Sequence, residues 1–520
     1  MGNYDKKREL IAGVFFLVLL TLAGCIFKPA LLLTELEKSN YLQLTSSPEI
    51  SGFLQELSDR SDVAEKVTIG KSALGSPVEA LLVSKEINQF TSGHSSHDKM
   101  TVMLIGSQHG MEPSGAEALL VLARDIVAGG LRSYLEDMNF IFIPNSNPDG
   151  RNSNRRVNGN GVNLSTNFTI LSEPESRTII DTLYTWKPEV VLDVHESAIL
   201  KKKTLARQGF LIDFEAQFEA ANNPNVDSEI RAFSFEQLLP EIIALVKAQR
   251  LSAQRYIGEI TNIHQTITHG GLSLRNLRNL AGMMGAFSFL LESRLDPSTG
   301  RYPTPRNIRE RVAKQYLCIT SFLQCCRTHR TEIISISRNA RLRWKDQQRE
   351  GPLYRYVAYV PDENHPQIAI PLRKLETNEP VTLSFRYHGA VEYHSSLSFP
   401  EFYLVTVHQE LMKDFLERHH INYEVAKQPA VVPVRIKKIM SRRAVIAGPG
   451  QNYSDYSISE HNEEYTLQRG DLLVRLDQPA RRLIPLFLEP QAISSIFNVP
   501  EYSQLVKEGT DFFIYRVDKS

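Results

Sequence analysis

The stretch Thr101-Val-Met-Leu-Ile-Gly-Ser-Gln-His109-Gly-Met-Glu112-Pro113-Ser-Gly115 joins an apolar run to an imidazole and a carboxylate three residues apart. Thr101 to Ile105 reads as a short buried strand. Gly106-Ser107 frees the backbone to turn, and Pro113 suits the first position of a helix, where its missing N–H costs nothing. His109 and Glu112 therefore share one tight turn. Both are ligand types that suit Zn²⁺, and a catalytic zinc normally takes a third protein ligand and leaves a fourth position open. The spacing alone is weak evidence: His461-Asn-Glu-Glu464 repeats it in a polar stretch that reads as a loop.

The elements that must position such a site follow from the surrounding pattern. Phe140–Pro144, Val190–Val194 and Phe287–Leu291 read as inner strands, and Ala116–Val127, Pro174–Trp186, Phe235–Ala248 and Arg306–Leu323 as helices. The alternation predicts an α/β domain over 44–330, a mixed sheet with helices on both faces. Sites in such sheets lie beyond the carboxyl ends of strands. His195 closes the run Val190-Val-Leu-Asp193-Val-His195 and is the candidate third ligand, with Asp193 or Glu196 placed to orient a ring. Glu292 ends Phe289-Leu-Leu-Glu292-Ser-Arg294. It is either paired with Arg294 or poised as a general base.

These residues together resemble the M14 family of zinc carboxypeptidases. The family's His-x-x-Glu pair, distant histidine and strand-end glutamate fall on His109, Glu112, His195 and Glu292. Asn147-Pro-Asp-Gly150 matches its Asn-Pro-Asp-Gly turn. Arg156-Val-Asn-Gly-Asn-Gly161-Val-Asn163-Leu is similar to the segment carrying the arginine that polarises the scissile carbonyl, which falls on Arg156. The resemblance implies one zinc per chain, Glu292 and Arg156 as catalytic groups, and a peptide or cell-wall peptide as substrate. One departure stands out. Where the family has an Asn-Arg pair that grips the substrate's terminal carboxylate, this chain has Ser165-Thr166. Two hydroxyls supply neither the charge nor the fork of a guanidinium, so carboxylate recognition is expected to be altered. Arg275 or Arg278 could supply the cation; the family's substrate-capping tyrosine has no match in this sequence that its motifs assign, and Tyr256 is a guess only. A zinc amidohydrolase for peptidoglycan peptides or N-acyl amino acids is the alternative reading, and a non-catalytic binding lipoprotein a third.

The flanks add context. Lys6-Lys7-Arg8, the apolar run Ile11–Leu22 and Leu22-Ala-Gly-Cys25 resemble a bacterial lipoprotein signal peptide over 1–25, with Cys25 lipidated. That implies a membrane-anchored protein of the cell envelope, facing the periplasm or exterior, with a linker over 26–43. Lysine plus arginine and aspartate plus glutamate each number 59, so no net field favours nucleic acid. Cys318, Cys325 and Cys326 fall in one predicted helix. Seven residues of helix span about 10 Å, beyond the roughly 7 Å that a disulfide tolerates. They read as core thiols. From 334 to 520, short β-rich runs divided by turns predict a smaller, mostly β accessory domain, interrupted by one helix at Leu411–Arg418. It resembles the region that follows the catalytic domain in some bacterial M14 peptidases, around Gln468–Leu473 and Asp477–Arg481. Tyr354, Tyr356, Phe402 and Tyr403 read as its core, and Asn222-Asn-Pro-Asn225 as an ordinary loop.

Overall fold

A computed structural model describes residues 32–94, 98–200, 204–296, 307–344, 352–446 and 452–518. Nine strands build the first part: β1 (Ala64–Lys71), β2 (Pro77–Val83), β3 (Met100–Gly106), β4 (Met138–Ile143), β5 (Val190–Ser197), β6 (Phe210–Ile212), β7 (Ala216–Ala220), β8 (Ala253–Arg255) and β9 (Phe287–Arg294). All but β6 join one sheet in the order β1-β2-β4-β3-β5-β9-β7-β8. The four central strands β4-β3-β5-β9 run parallel, flanked by antiparallel β2 and β7, so the sheet is mixed. Every residue of β3 and β4 is buried, which explains why these strands read as unbroken apolar runs.

Helices cover both faces. The step from β3 to β4 runs one way along the sheet and the step from β4 over β3 to β5 runs the other way. Right-handed crossovers then put helix Pro113–Ala128 on one face and helix Pro174–Trp186 on the other. Beneath the first helix, Arg151 Nη2 donates to Glu117 Oε1 at 2.6 Å, both side chains being almost fully buried. Glu117 also accepts from the Thr45 backbone and hydroxyl. This pair pins the 147–152 turn against the sheet. Glu117→Ala, which would strand Arg151, is expected to cost about 3–5 kcal/mol, read as a lower denaturant midpoint; an unchanged midpoint would show the pair to be dispensable.

The stretch expected as a linker is, from Leu32, a packed element. Thr34 caps the short helix Glu35–Lys38, Leu36 is buried, and Arg124 Nη1 donates to the Leu32 carbonyl and to Glu37. Residues 1–31, including Cys25, lie outside the described residues. Among the described residues no helix is long and apolar enough to cross a membrane.

The remainder is mostly β. Leu353–Val360 pairs with Ala390–Leu397, and a six-stranded sheet includes Phe402–Val405, Ile514–Val517 and the long arms Val431–Ile446 and Asn452–Thr466. His461-Asn-Glu-Glu464, read as loop, lies in the second of these arms. Residues 459–464 of that arm are exposed on both faces, so the stretch around His461 carries no apolar alternation that would announce a strand. The two parts are sewn together. Leu372 in strand Gln367–Lys374 pairs with Ile212 in β6, and one continuous core runs from Leu36 to Ile514. Phe402 and Tyr403 are buried, whereas Tyr354 and Tyr356 are half-buried. Asn222-Asn-Pro-Asn225 is a buried polar joint: Asn225 exchanges two hydrogen bonds with the Tyr354 backbone, and Asn222 Nδ2 donates to Tyr359 Oη.

Candidate metal centre

The turn after β3 is held open by backbone that few sequences tolerate. Ser107 sits at φ +56°, a left-handed conformation costly for a residue with a side chain. Gly110 lies so close to the next turn that a Cβ there would fall 1.9 Å from the Gly150 carbonyl carbon. The Asn147-Pro-Asp-Gly150 turn is the matching half. Asn147 Nδ2 donates to the Gln108 carbonyl and its Oδ1 accepts from Gly150 N–H, while Asp149 accepts from Ser72 and the Leu74 N–H. This motif therefore fixes the ligand loop and stays out of the chemistry.

His109, Glu112 and His195 converge. His109 Nδ1 lies 2.9 Å from Glu112 Oε1, His195 Nδ1 lies 3.0 Å from Glu112 Oε2, and the two Nδ1 atoms are 3.1 Å apart. All three side chains are buried. Ligands of a tetrahedral zinc with bonds of about 2.0–2.1 Å stand roughly 3.3 Å from one another, close to this triangle. The other face of each imidazole is also set. His109 Nε2 meets Asn163 Oδ1 at 3.1 Å and Ser165 Oγ at 3.0 Å, and His195 Nε2 faces Asp193 Oδ1 at 3.0 Å. Acceptors at both Nε2 positions favour the tautomer that turns the Nδ1 lone pairs inward, the usual outer support of a metal-bound histidine. Two facing ring nitrogens and a carboxylate are a donor set that fits zinc.

The electrostatics of His109 and Glu112 agree, whereas at His195 the Asp193 and Glu112 carboxylates outweigh burial and hold the imidazole well above its ordinary value. Burial is the strongest influence on each group. It lowers His109 below the ordinary imidazole value. It opposes ionisation of Glu112, but hydrogen bonds from the two imidazoles outweigh it and hold that carboxyl well below its usual range. A pre-ionised carboxylate and a readily deprotonated imidazole suit a cation. Asp193→Asn is expected to weaken zinc binding about 10–100-fold, measured by competition with a chromogenic chelator; unchanged affinity would remove Asp193 from the support of His195.

Glu292 stands beside this centre. It pairs in register with His195 on the neighbouring strand and accepts from Ser197 Oγ at 2.7 Å. Arg294 is directed elsewhere, its Nη1 donating to the Ile212 carbonyl. Burial first, then the negative charge of Glu112, raise the Glu292 carboxyl to about 7 against the opposing effects of His195, Ser197 and Arg156. Glu196, the other residue placed to orient a ring, instead takes a two-point contact from Arg311 and accepts from Ser114 N–H. Its own N–H donates to Glu112 Oε2.

Arg156 is about half exposed and reaches Glu112 Oε1 at 3.2 Å, so it borders the centre from the solvent side. The two hydroxyls expected to face substrate are already engaged. Ser165 backs His109 as above, while Thr166 is exposed and donates to the Asn163 carbonyl of its own turn. Asn163 was not singled out as a site residue in the sequence. Its role rests on a contact across 54 residues that no local pattern encodes. Arg275 has no side-chain hydrogen bond among the described residues, although its carbonyl accepts from Phe168 N–H. Cys318, Cys325 and Cys326 are buried free thiols. Cys325 approaches Glu241 and His329, which are themselves joined at 2.7 Å.

Comparison with known proteins agrees with this arrangement. Residues 50–200 match the family model for zinc carboxypeptidases, Peptidase M14, a span that holds His109, Glu112, Arg156 and His195. Carboxypeptidase 2 of Trichophyton rubrum is 28% identical over 200 residues, 38% of this chain and 37% of that protein. Probable carboxypeptidase 2 of Arthroderma benhamiae is 27% identical over 256 residues, 48% of each. The chain thus spans less than half the length of these curated relatives. A metallo-carboxypeptidase structure from Burkholderia cenocepacia aligns with TM-score 0.43 and 17% identity, over 55% of this chain and 70% of that one. The matched segment, with the His109–Glu112 turn inside it, is thus similar to the M14 family of zinc carboxypeptidases.

Proposed function

We propose that the protein is a zinc-dependent hydrolase of peptide amide bonds, carboxypeptidase-like but with altered carboxylate recognition, working outside the cytoplasm. The observation that carries this reading is the conjunction of the His109–Glu112–His195 donor triangle with Glu292, a carboxylate that no cation neutralises among the described residues. Zinc at that triangle supplies the Lewis acidity that makes water nucleophilic near neutral pH. The chain's own groups do the rest. Glu292, ionised and held by Ser197, accepts a proton from the attacking water and returns it to the leaving amine. Arg156 is free enough to exchange its contact with Glu112 for the oxygen that gains charge, the interaction that usually contributes most to the rate. No covalent nucleophile is required.

The engaged hydroxyls of Ser165 and Thr166 favour a second reading, in which the same centre cleaves N-acyl amino acids or peptidoglycan peptides. One experiment separates the two: zinc-loaded protein is incubated with mixed peptides, muropeptides and N-acyl amino acids, and the products are identified by mass spectrometry. Peptides trimmed from one end support the first reading; cleavage of acyl-amino acids or muropeptides alone supports the second; no cleavage contradicts both. The extracytoplasmic site rests on the basic, apolar and Leu-Ala-Gly-Cys25 order of the first 25 residues. Incorporation of a labelled fatty acid that Cys25→Ser abolishes would support lipid anchoring, and equal labelling of both proteins would contradict it.

A further inference from the structure

Cys325 and His329 stand four residues apart at the end of helix Ile308–Thr328, so their side chains lie one above the other on the same face. Glu241, in the first turn of helix Leu239–Ala248, faces them. His329 Nε2 lies 2.7 Å from Glu241 Oε2, and the Cys325 thiol bonds the same carboxylate. Sγ, Nε2 and a carboxylate oxygen all lie within 4.8 Å of one another. Cys325 is buried, while the side chains of His329 and Glu241 are 17% and 30% exposed. Phe233 meets the His329 ring edge-on at 5.6 Å and steadies its plane. Among the described residues, no lysine or arginine forms an ion pair with Glu241.

An ordinary ion pair accounts for His329 and Glu241 but not for a thiol turned to the same carboxylate. Thiolate, imidazole and carboxylate are the ligand types that protein zinc sites use. With bonds of about 2.3 Å to sulfur and 2.0–2.2 Å to nitrogen and oxygen, a tetrahedral ion sets its ligands roughly 3.3–3.6 Å apart. Rotation of the partly exposed Glu241 and His329 side chains covers the difference. The helix end contributes as well, since the free carbonyls at the C-terminus of Ile308–Thr328 carry a partial negative charge that favours a cation. The group is separate from the His109 centre. The same helix reaches that centre through Gln315, whose Nε2 donates to the His195 carbonyl. The ten residues of helix from Gln315 to Cys325 span about 15 Å, so one ion cannot serve both.

We propose that Cys325, His329 and Glu241 form a second metal site, which takes a thiophilic divalent cation such as zinc through three protein ligands and leaves one position to water. Bound there, the cation clips helix Leu239–Ala248 to the end of the helix that buttresses His195. Burial, and then the Glu241 carboxylate, hold the proton on the Cys325 thiol, and metal binding must displace it. The site therefore fills at higher free metal than the His109 centre, which has no thiol to deprotonate. It calls for no hydrolytic activity and is tested apart from the hydrolase reading.

Metal-free, reduced full-length protein is titrated with Co²⁺, beside His109→Ala, Cys325→Ser and His329→Gln. The readout is the sulfur-to-cobalt charge-transfer absorption in the near ultraviolet. The His109 centre offers only nitrogen and oxygen, so this band reports the second site alone. Wild type and His109→Ala are expected to show the band, and excess zinc to abolish it. Cys325→Ser should lack it, and His329→Gln should need at least about tenfold more cobalt, the least that loss of an outer partner of a metal ligand costs. Thermal melts check each protein, and the partly exposed position of His329 keeps the test valid if Cys325→Ser does not fold. No band in wild type, a band untouched by zinc, a band that survives in Cys325→Ser, or equal cobalt affinity in His329→Gln overturns the proposal. The expected bands without hydrolysis of any substrate would uphold the second site and count against the hydrolase reading alone.

Discussion

Glu292→Gln is expected to lower kcat about 10²–10⁴-fold while zinc content and melting temperature stay the same. The substitution keeps shape and a hydrogen-bond acceptor for Ser197 Oγ, and removes only the ability to take up a proton. It does not touch the donor triangle, because Glu292 meets His195 through strand pairing and is no member of the ligand set. The same group sets a pH dependence whose sign is fixed. Glu292 acts as a base only when ionised, and burial raises its carboxyl to about 7. A dication nearby favours the ionised form and moves that value down. Wild-type kcat/KM is therefore expected to fall about tenfold per pH unit on the acid side, with its midpoint below 7 in the zinc form. A flat profile from pH 5 to 8, or a Gln variant with wild-type kcat, would remove Glu292 from the reaction.

His109→Ala carries the larger consequence. It deletes one corner of the triangle and also the anchor for Asn163 and Ser165, both of which meet the same ring. Zinc should be lost on dialysis, and activity should fall by about 10³-fold or more, since the Lewis acid contributes several kcal/mol. A second readout is independent of turnover. Ligand binding to the native state stabilises it by about 4 kcal/mol at a thousandfold excess over Kd. Wild type should therefore melt at a higher temperature when zinc is added, and the variant should not. A zinc-induced shift of equal size in both would place the metal elsewhere, and the Glu241–Cys325–His329 group is the first place to look.

The ligand turn was legible because its information is local. His109 and Glu112 are three residues apart behind an unbroken apolar strand, and His195 and Glu292 each close another such strand. The parallel order of these strands brings the three ends together, a step the alternation of strands and helices already implies. What escaped was long-range. Asn222–Asn225 has the composition of a surface turn, yet Asn222 and Asn225 are buried because their amides satisfy backbone and hydroxyl groups of the β-rich part. The part of the long arm around His461 lacks an apolar face, so its pairing with Val431–Lys437 leaves no periodic mark. Residues 32–43 looked like a tether because a four-residue helix has too few turns to show a stripe.

The most direct test of a hydrolytic zinc centre at His109, Glu112 and His195 is a metal titration. Protein stripped with a chelator is given zinc in small steps while hydrolysis of a peptide substrate is followed. Activity should be absent at the start, rise in proportion to zinc and level off near one equivalent per chain, as expected of a single catalytic site. Full activity in the stripped protein, or none after zinc is restored to the wild-type fold, would contradict the account.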